Sequence, residues 1–179
     1  MRRKIKIALC LLLMTMFACI EGNQAAQAQV ADNSQKVWHS DFKDAGLVSI
    51  KDEKVKLSDY VGKSEYVLVD FWASWCGPCM REMPNVKAAY EKYKNRGLQV
   101  IGINLDKDQN AWKNAVGRLE LKWPQLSDMN EQGSVVANLY AVKYIPYIVI
   151  FDKSGKMVAK NLHGEALAKK LEELMLAQK

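Results

Sequence analysis

Residues 66–84 read YVLVDFWASWCGPCMREMP, and this stretch determines how the rest of the chain is interpreted. An apolar run that begins at Tyr66 and is interrupted at Asp70 is typical of a central strand buried on both faces. The residues after this run have helical spacing, so the pattern predicts a strand, a short junction and a helix. Cys76 and Cys79 fall at the junction, where we expect the chemistry of the protein to take place.

Cys76 is expected at the N-terminus of the predicted helix, where free backbone N–H groups and the helix dipole stabilise a negative charge. We therefore expect it to be the exposed cysteine and to form a thiolate readily. Cys79 lies one helical turn later, close enough to close a disulfide. Pro78 is tolerated in the first turn, because its missing N–H has no intrahelical acceptor there. The spacing suits reversible dithiol–disulfide exchange.

The segment 67–73 and the four residues 76–79 together resemble the active-site region of the thioredoxin superfamily. Glu82 and Pro84, with an insertion after the next strand, resemble the extracytoplasmic TlpA/ResA-type thiol-disulfide oxidoreductases. The resemblance covers residues 45–178. It implies an α/β thioredoxin-like fold with a mixed central sheet, helices on both faces, an N-terminal hairpin and a central insertion.

Hydrophobic periodicity predicts the other elements. The helix that begins near Cys76 is expected to run to about Asn95, with a kink at Pro84, which removes a backbone hydrogen bond. Trp112 and Trp123 are interpreted as core residues, since aromatic side chains at helical spacing usually pack. The remaining expected elements are a hairpin about residues 51–54, a strand at 99–105, a helix at 106–119 with an acidic cap at Asp106, a short helix at 134–140, a hairpin turning at 152–155 and a closing helix with an apolar stripe from Leu167 to Met175.

Asp70 and Glu82 are the candidate proton-transfer groups. Burial on an apolar strand raises the pKa of a carboxyl group, so Asp70 suits a general acid/base for Cys79. The alternative is a hydrogen-bonded structural aspartate. Glu82 lies on the same helix side as Cys79 and matches the acidic residue that tunes the cysteine pair in TlpA/ResA-type proteins. Its alternative interpretation is an exposed helix glutamate.

Ile145 and Pro146 open the penultimate strand, where a proline is permitted because it comes at the strand start. In the resembled family this proline is cis and faces the cysteines, and the residue before it holds the substrate chain through backbone groups. From the residues alone, an ordinary strand-start proline is the alternative. The resemblance implies a substrate-binding surface that comprises Trp75, Gly77, Pro78, Ile145 and Pro146.

The N-terminus has the pattern of a secretory signal: four basic residues, an apolar run from Ile7 to Ile20, and Ala-Gln-Ala ending at Ala28. Alternatively, Met16 to Cys19 loosely resembles a lipobox, with Cys19 as the lipidated first residue. We expect an exported protein of the bacterial periplasm, soluble or anchored through Cys19. The expected organisation is a signal peptide at 1–28 (or a lipoprotein signal at 1–18), a lead-in or tether at 29–44 and the thioredoxin-like domain at 45–179.

Charge and cysteine usage exclude several function classes. Removal of the signal leaves 22 basic and 19 acidic residues, interspersed along the chain without a basic run, so we expect no nucleic-acid partner. A structural zinc site needs four ligands, and the two histidines, His39 and His163, are not at ligand spacing from the cysteines. We therefore expect neither a metal nor another cofactor.

The sequence thus predicts an exported thiol-disulfide oxidoreductase. The Gly-Pro between the cysteines matches the reducing thioredoxins and favours a protein-disulfide reductase. The resemblance implies that the substrates are exported proteins, among them apocytochrome c, and that a membrane thiol-disulfide carrier donates the electrons. Two alternatives on the same fold are a non-catalytic metal-binding or metallochaperone module and a thiol peroxidase.

Overall fold

The structure is a computed structural model that describes residues 39–130 and 133–177. The predicted signal and most of the predicted lead-in lie outside the described residues. Within the described ranges there are seven strands, four α-helices and one 3-10 helix, at Leu57–Asp59. The strands are β1 Gly46–Ser49, β2 Lys54–Lys56, β3 Tyr66–Trp72, β4 Leu98–Asn104, β5 Gln125–Ser127, β6 Tyr147–Asp152 and β7 Met157–Lys160. The α-helices are α1 Gly77–Tyr93, α2 Gln109–Arg118, α3 Val135–Leu139 and α4 Gly164–Leu176.

The seven strands form one mixed sheet in the order β2-β1-β5-β4-β3-β6-β7. The central strand β3 pairs in parallel with β4 and antiparallel with β6. The strands β1 and β2 form the predicted N-terminal hairpin, and β6 and β7 form the predicted C-terminal one. The mixed sheet confirms the fold class that the sequence predicts.

Strand β3 shows how the sequence fills both faces of this sheet. Successive side chains of a strand point to opposite faces, and here both sets are apolar except for one residue. Val67, Val69 and Phe71 belong to one hydrophobic cluster, to which α3 contributes Val136 and Ala137. The other cluster contains Leu68 and Trp72 together with buried residues of α1, α2 and α4. By alternation, Asp70 lies on the same face as Leu68 and Trp72.

Helix α1 carries the cysteine pair into the second of these clusters. Cys76 is its N-cap, and the helix continues past Pro84 to Tyr93, close to the predicted end. Pro78 lies in the first turn, as the sequence predicts. The buried side of the helix consists of Cys79, Met83, Val86, Ala89 and Tyr93.

The predicted start of the next helix is wrong by three residues. Helix α2 begins at Gln109, and its cap is Asp108, whose side chain accepts a hydrogen bond from the Asn110 backbone N–H. Asp106 does not cap this helix, because its carboxylate is already engaged by donors from two other segments, described below. Trp112 is 0% exposed and Trp123 is 5% exposed, which confirms that both are core residues.

The end of the predicted lead-in packs onto the sheet. Phe42 is buried, and its ring meets that of Phe151 edge-on at a centroid distance of 5.9 Å. The Tyr140 hydroxyl donates to the Lys43 carbonyl at 2.7 Å and accepts from the Lys43 N–H at 2.9 Å. The packed domain therefore begins before residue 45.

No helix in the described part of the chain is long and apolar enough to cross a membrane.

Candidate active site

Cys76 and Cys79 form a disulfide, with their Cα atoms 5.2 Å apart, at the N-terminus of α1. The Cys76 Sγ accepts a hydrogen bond from the Cys79 backbone N–H at 3.1 Å. A sulfur atom at this position accepts hydrogen bonds from the first free backbone N–H groups of the helix. When the disulfide is reduced, these hydrogen bonds stabilise the Cys76 thiolate. The predicted position of the pair at a strand-to-helix junction is thus confirmed.

The expected exposure of Cys76 is wrong for the disulfide form. Cys76 is 4% exposed and Cys79 is 1% exposed, so both are buried. The reason is the backbone of the segment before β6: the Ile145 carbonyl oxygen lies 3.6 Å from the Cys76 Sγ. In the reduced protein, the Cys76 thiol can donate to that carbonyl.

Ile145 and Pro146 are brought to the cysteine pair by the sheet, although they lie about seventy residues away in the chain. The peptide bond between them is cis, as the resemblance implies. The carbonyl contact with Cys76 places the Ile145 backbone beside the sulfur that the sequence assigns to substrate attack. The Ile145 backbone therefore forms part of the immediate surroundings of the Cys76 sulfur.

Residues next to the cysteines and next to Ile145 in the chain are exposed. Trp75, directly before Cys76, is 69% exposed, and Gly77 and Pro78 are exposed as well. Tyr144, directly before Ile145, is 59% exposed. Its hydroxyl accepts from the Asn161 amide at 2.9 Å, and its ring packs against that of Tyr147. Sequence reasoning missed Tyr144, although an aromatic residue next to the Ile145-Pro146 pair was a usable signal.

Asp70 is buried in the apolar cluster that also contains Cys79. It is 3% exposed, and its Oδ1 has no hydrogen-bond partner among the protein atoms. Burial, which is the larger cause, and the nearby negative charge of Glu82 together raise the pKa of Asp70 to about 7. Because Oδ1 accepts no hydrogen bond from a protein atom, this oxygen does not support the alternative of a hydrogen-bonded structural aspartate. A carboxyl group with this pKa exchanges its proton at neutral pH.

Glu82 links two helices. Its Oε1 accepts from the Gly164 N–H at 2.9 Å, and its Oε2 accepts from the Asn85 amide at 3.1 Å. Gly164 is the first residue of α4, so Glu82 satisfies a free N–H at that helix N-terminus. The side chain is half-buried, and the alternative of an exposed helix glutamate is therefore wrong. Its negative charge contributes to the raised pKa of Asp70.

A third carboxylate, that of Asp106, holds the loop that leads into Cys76. Its Oδ1 accepts from the Ser74 hydroxyl at 2.7 Å and its Oδ2 from the Ser74 N–H at 2.9 Å. Its Oδ2 also accepts from the Asn104 amide at 2.6 Å, and the Asp106 N–H donates to the Asn104 Oδ1 at 2.9 Å. Both Asp106 and Asn104 are buried. Sequence reasoning assigned Asp106 to a helix cap, although two polar residues around the end of a buried strand were a signal for a site at the sheet edge.

We expect Asp106→Ala to lower the free energy of unfolding by about 2–4 kcal/mol, because the half-buried donors of Ser74 and the buried amide of Asn104 lose a charged acceptor. Asp108→Ala is the matched control: it removes a nearby aspartate that is exposed and caps α2, and should cost about 1 kcal/mol. Urea denaturation of the two variants measures both values. Equal losses would show that Asp106 contributes no more than an ordinary helix cap.

Comparison with known proteins gives consistent matches over this region. The family model described as "AhpC/TSA family" matches residues 27–160. The thiol-disulfide oxidoreductase ResA of Bacillus thuringiensis subsp. konkukian (strain 97-27) is 33% identical over 129 residues, which cover 72% of this chain and 71% of that protein. Among solved structures, a thiol-disulfide oxidoreductase from Bacteroides fragilis is 34% identical with a TM-score of 0.69, covering 74% of this chain and 97% of the other. The thioredoxin domain of a Bacteroides vulgatus thiol-disulfide oxidoreductase is 30% identical with a TM-score of 0.68, covering 74% and 94%.

Proposed function

The chain belongs to the AhpC/TSA family within the thioredoxin superfamily, and from this premise we propose that it reduces disulfides of exported proteins through Cys76 and Cys79. It is a thiol-disulfide oxidoreductase of the ResA type. The observation that carries the proposal is the cysteine pair at the N-terminus of α1, with the Cys76 sulfur 3.6 Å from the Ile145 carbonyl oxygen. That arrangement places a sulfur that the helix N-terminus can stabilise as a thiolate beside a backbone segment along which a substrate chain can lie.

The reaction proceeds in two exchanges. The Cys76 thiolate attacks one sulfur of the substrate disulfide, forms a mixed disulfide and releases the other substrate sulfur as a thiolate, which takes up a proton. Cys79 then loses its proton to Asp70 and attacks the Cys76 Sγ. The bond between Cys76 and the substrate breaks, the substrate leaves as a dithiol, and the Cys76–Cys79 disulfide carries the two-electron oxidation. An external dithiol must reduce this disulfide before the next cycle.

Substrate docking uses the exposed apolar surface around the disulfide, formed by Trp75, Gly77, Pro78, Tyr144 and the Ile145-Pro146 backbone. Trp75 and Tyr144 supply large rings that pack on an extended chain, and the Ile145 backbone supplies directional polar contacts. One charged group lies beside this surface: a Cβ built on Gly77 would be 3.8 Å from the Nη1 of the exposed Arg81. A broad range of unfolded or partly folded exported proteins fits it, with apocytochrome c among them.

The proposed location is outside the cytoplasm. The basic start, the apolar run from Ile7 to Ile20 and the Ala-Gln-Ala ending at Ala28 support export, with cleavage after Ala28 or lipidation at Cys19. A membrane thiol-disulfide carrier is the proposed electron donor, because the exported protein no longer has access to cytoplasmic reductants.

Trapping tests the proposal. Cys79→Ser, expressed in the native compartment, should accumulate mixed disulfides through Cys76, and mass spectrometry should identify exported proteins in them. The double variant Cys76→Ser, Cys79→Ser is the control and should trap none. Two results would overturn the proposal. If the wild-type chain consumes peroxide and no proteins are trapped, the protein is a thiol peroxidase. If the chain binds copper or zinc and does not reduce insulin, it is a metal-binding module.

A further inference from the structure

Asp70, Gly102 and Gln125 form one row across three neighbouring strands. Asp70 of β3 is the register partner of Gly102 of β4, and Gly102 is the register partner of Gln125 of β5. Register partners point to the same face of a sheet, and this is the face that carries Leu68 and Trp72. Gln125 is 2% exposed. A buried amide and a buried carboxyl group are therefore separated by a single residue without a side chain.

The missing Cβ of Gly102 makes room for the Gln125 amide. A Cβ built on Gly102 would lie 2.7 Å from Cδ and 2.8 Å from Nε2 of Gln125, far inside van der Waals contact. The amide group thus lies across β4, between its own strand and β3. It reaches β3 through its Oε1, which accepts a hydrogen bond from the Trp72 Nε1–H at 3.1 Å.

The bond to Trp72 fixes which way the amide is turned. An indole N–H can only donate, so the amide atom that faces it must be the oxygen. Nε2 is therefore the free end of the group, with two N–H donors. It is buried and has no hydrogen-bond partner among the protein atoms. Within the described residues, Asp70 Oδ1 is the one buried carboxylate oxygen that also has none.

We infer that Gln125 is a positioning residue for Asp70, whose carboxylate receives a hydrogen bond from the Gln125 Nε2 through one bridging water molecule. This bond pairs the free donor with the free acceptor in the same cross-strand row. It favours the ionised carboxylate, which is the form that takes the proton of Cys79. The inference rests on the proposed role of Asp70 in the reaction and adds the residue that supports it.

Other groups act on Asp70 from the remaining sides. Helix α1 contributes Glu82, whose negative charge opposes ionisation, and the cysteine pair. The cluster around Asp70 is otherwise apolar on the strand side, with Leu68 and Ile148 buried there. Burial and the charge of Glu82 both raise the pKa of Asp70, and Gln125 is the group in this row that lowers it.

Titration of the Asp70 carboxyl carbon by NMR in the oxidised full chain tests the inference. In Gln125→Met, a similar side-chain length is kept and the donor is lost, so we expect the pKa of Asp70 to be about one pH unit higher than in the wild type, the size expected for one hydrogen bond to a charged group. Gly102→Ala keeps Gln125 but displaces its amide, and should raise the pKa in the same direction. Trp123→Phe, which removes another buried indole N–H without a partner, should leave it unchanged.

A second readout is the pH at which the rate of resolution of the mixed disulfide reaches half its maximum. In Gln125→Met this pH should rise by the same amount as the pKa of Asp70. An unchanged titration in both Gln125→Met and Gly102→Ala would overturn the inference, and so would an equal rise in Trp123→Phe. The titration uses no substrate. It therefore decides about Gln125 even if the chain fails to reduce protein disulfides, a failure that would count against the proposed function alone.

Discussion

Cys76→Ala is expected to lower the rate of protein-disulfide reduction by about a thousandfold or more, to the uncatalysed level, because no other sulfur can begin the exchange. Cys76 is the N-cap of α1, its sulfur lies beside the Ile145 carbonyl, and the preceding residue, Trp75, is exposed. Cys79 is deeper in the core, at 1% exposure. Insulin reduction with a dithiol donor, followed by turbidity, measures the loss.

Cys79→Ala is the matched control for this prediction. It keeps the first attack and removes the second, so one equivalent of mixed disulfide should form at the wild-type rate while turnover stops. The role assignment is contradicted if Cys76→Ala and Cys79→Ala form mixed disulfides equally fast, since the two sulfurs would then be equally accessible.

Asp70→Asn is expected to change the pH dependence of stability. The folded pKa of Asp70, about 7, lies above the ordinary value of 3.8. The unfolded chain therefore releases this proton at a lower pH than the folded protein does. Wild-type stability should fall as the pH rises from about 4 to about 7, by about 4 kcal/mol if no other group compensates. The Asn variant should lack this fall, because it has no proton to release.

The measurement is chemical denaturation of both proteins at pH 4 and pH 8. The stability of Asp70→Asn relative to wild type should increase between these two values by about 4 kcal/mol. Glu82→Gln is the control: it removes a neighbouring charge but keeps the buried carboxyl group, so most of the pH dependence should remain. Parallel stability curves for wild type and Asp70→Asn would contradict the raised pKa of Asp70.

The same variant tests the proton route. Asp70→Asn should slow resolution of the mixed disulfide by Cys79 more than its formation by Cys76, because only the second step needs the buried base. Single-turnover kinetics at pH 7 and above separate the two steps. If both rates are unchanged, the proton of Cys79 leaves through water or Glu82, and Asp70 affects stability alone.

Local sequence patterns were enough to predict the strand β3, the helix α1 and the place of the cysteines between them. Each of these features depends on residues within a few positions of one another: alternation along a strand, a proline in the first turn of a helix, and sulfurs one turn apart. The burial of Asp70 follows from the same local pattern, because an acidic residue inside an apolar strand is buried together with that strand. For this reason Cys76, Cys79 and Asp70 could be chosen as candidates from the sequence.

Only the tertiary structure decided which distant residues meet these groups. Gln125 reaches Trp72 because β5 lies two strands away from β3 and Gly102 between them has no side chain. Asp106 binds Ser74 instead of capping a helix, because parallel β3 and β4 end at the same edge of the sheet. Strand order and register are set by the packing of the whole sheet, and no pattern within a single segment specifies them.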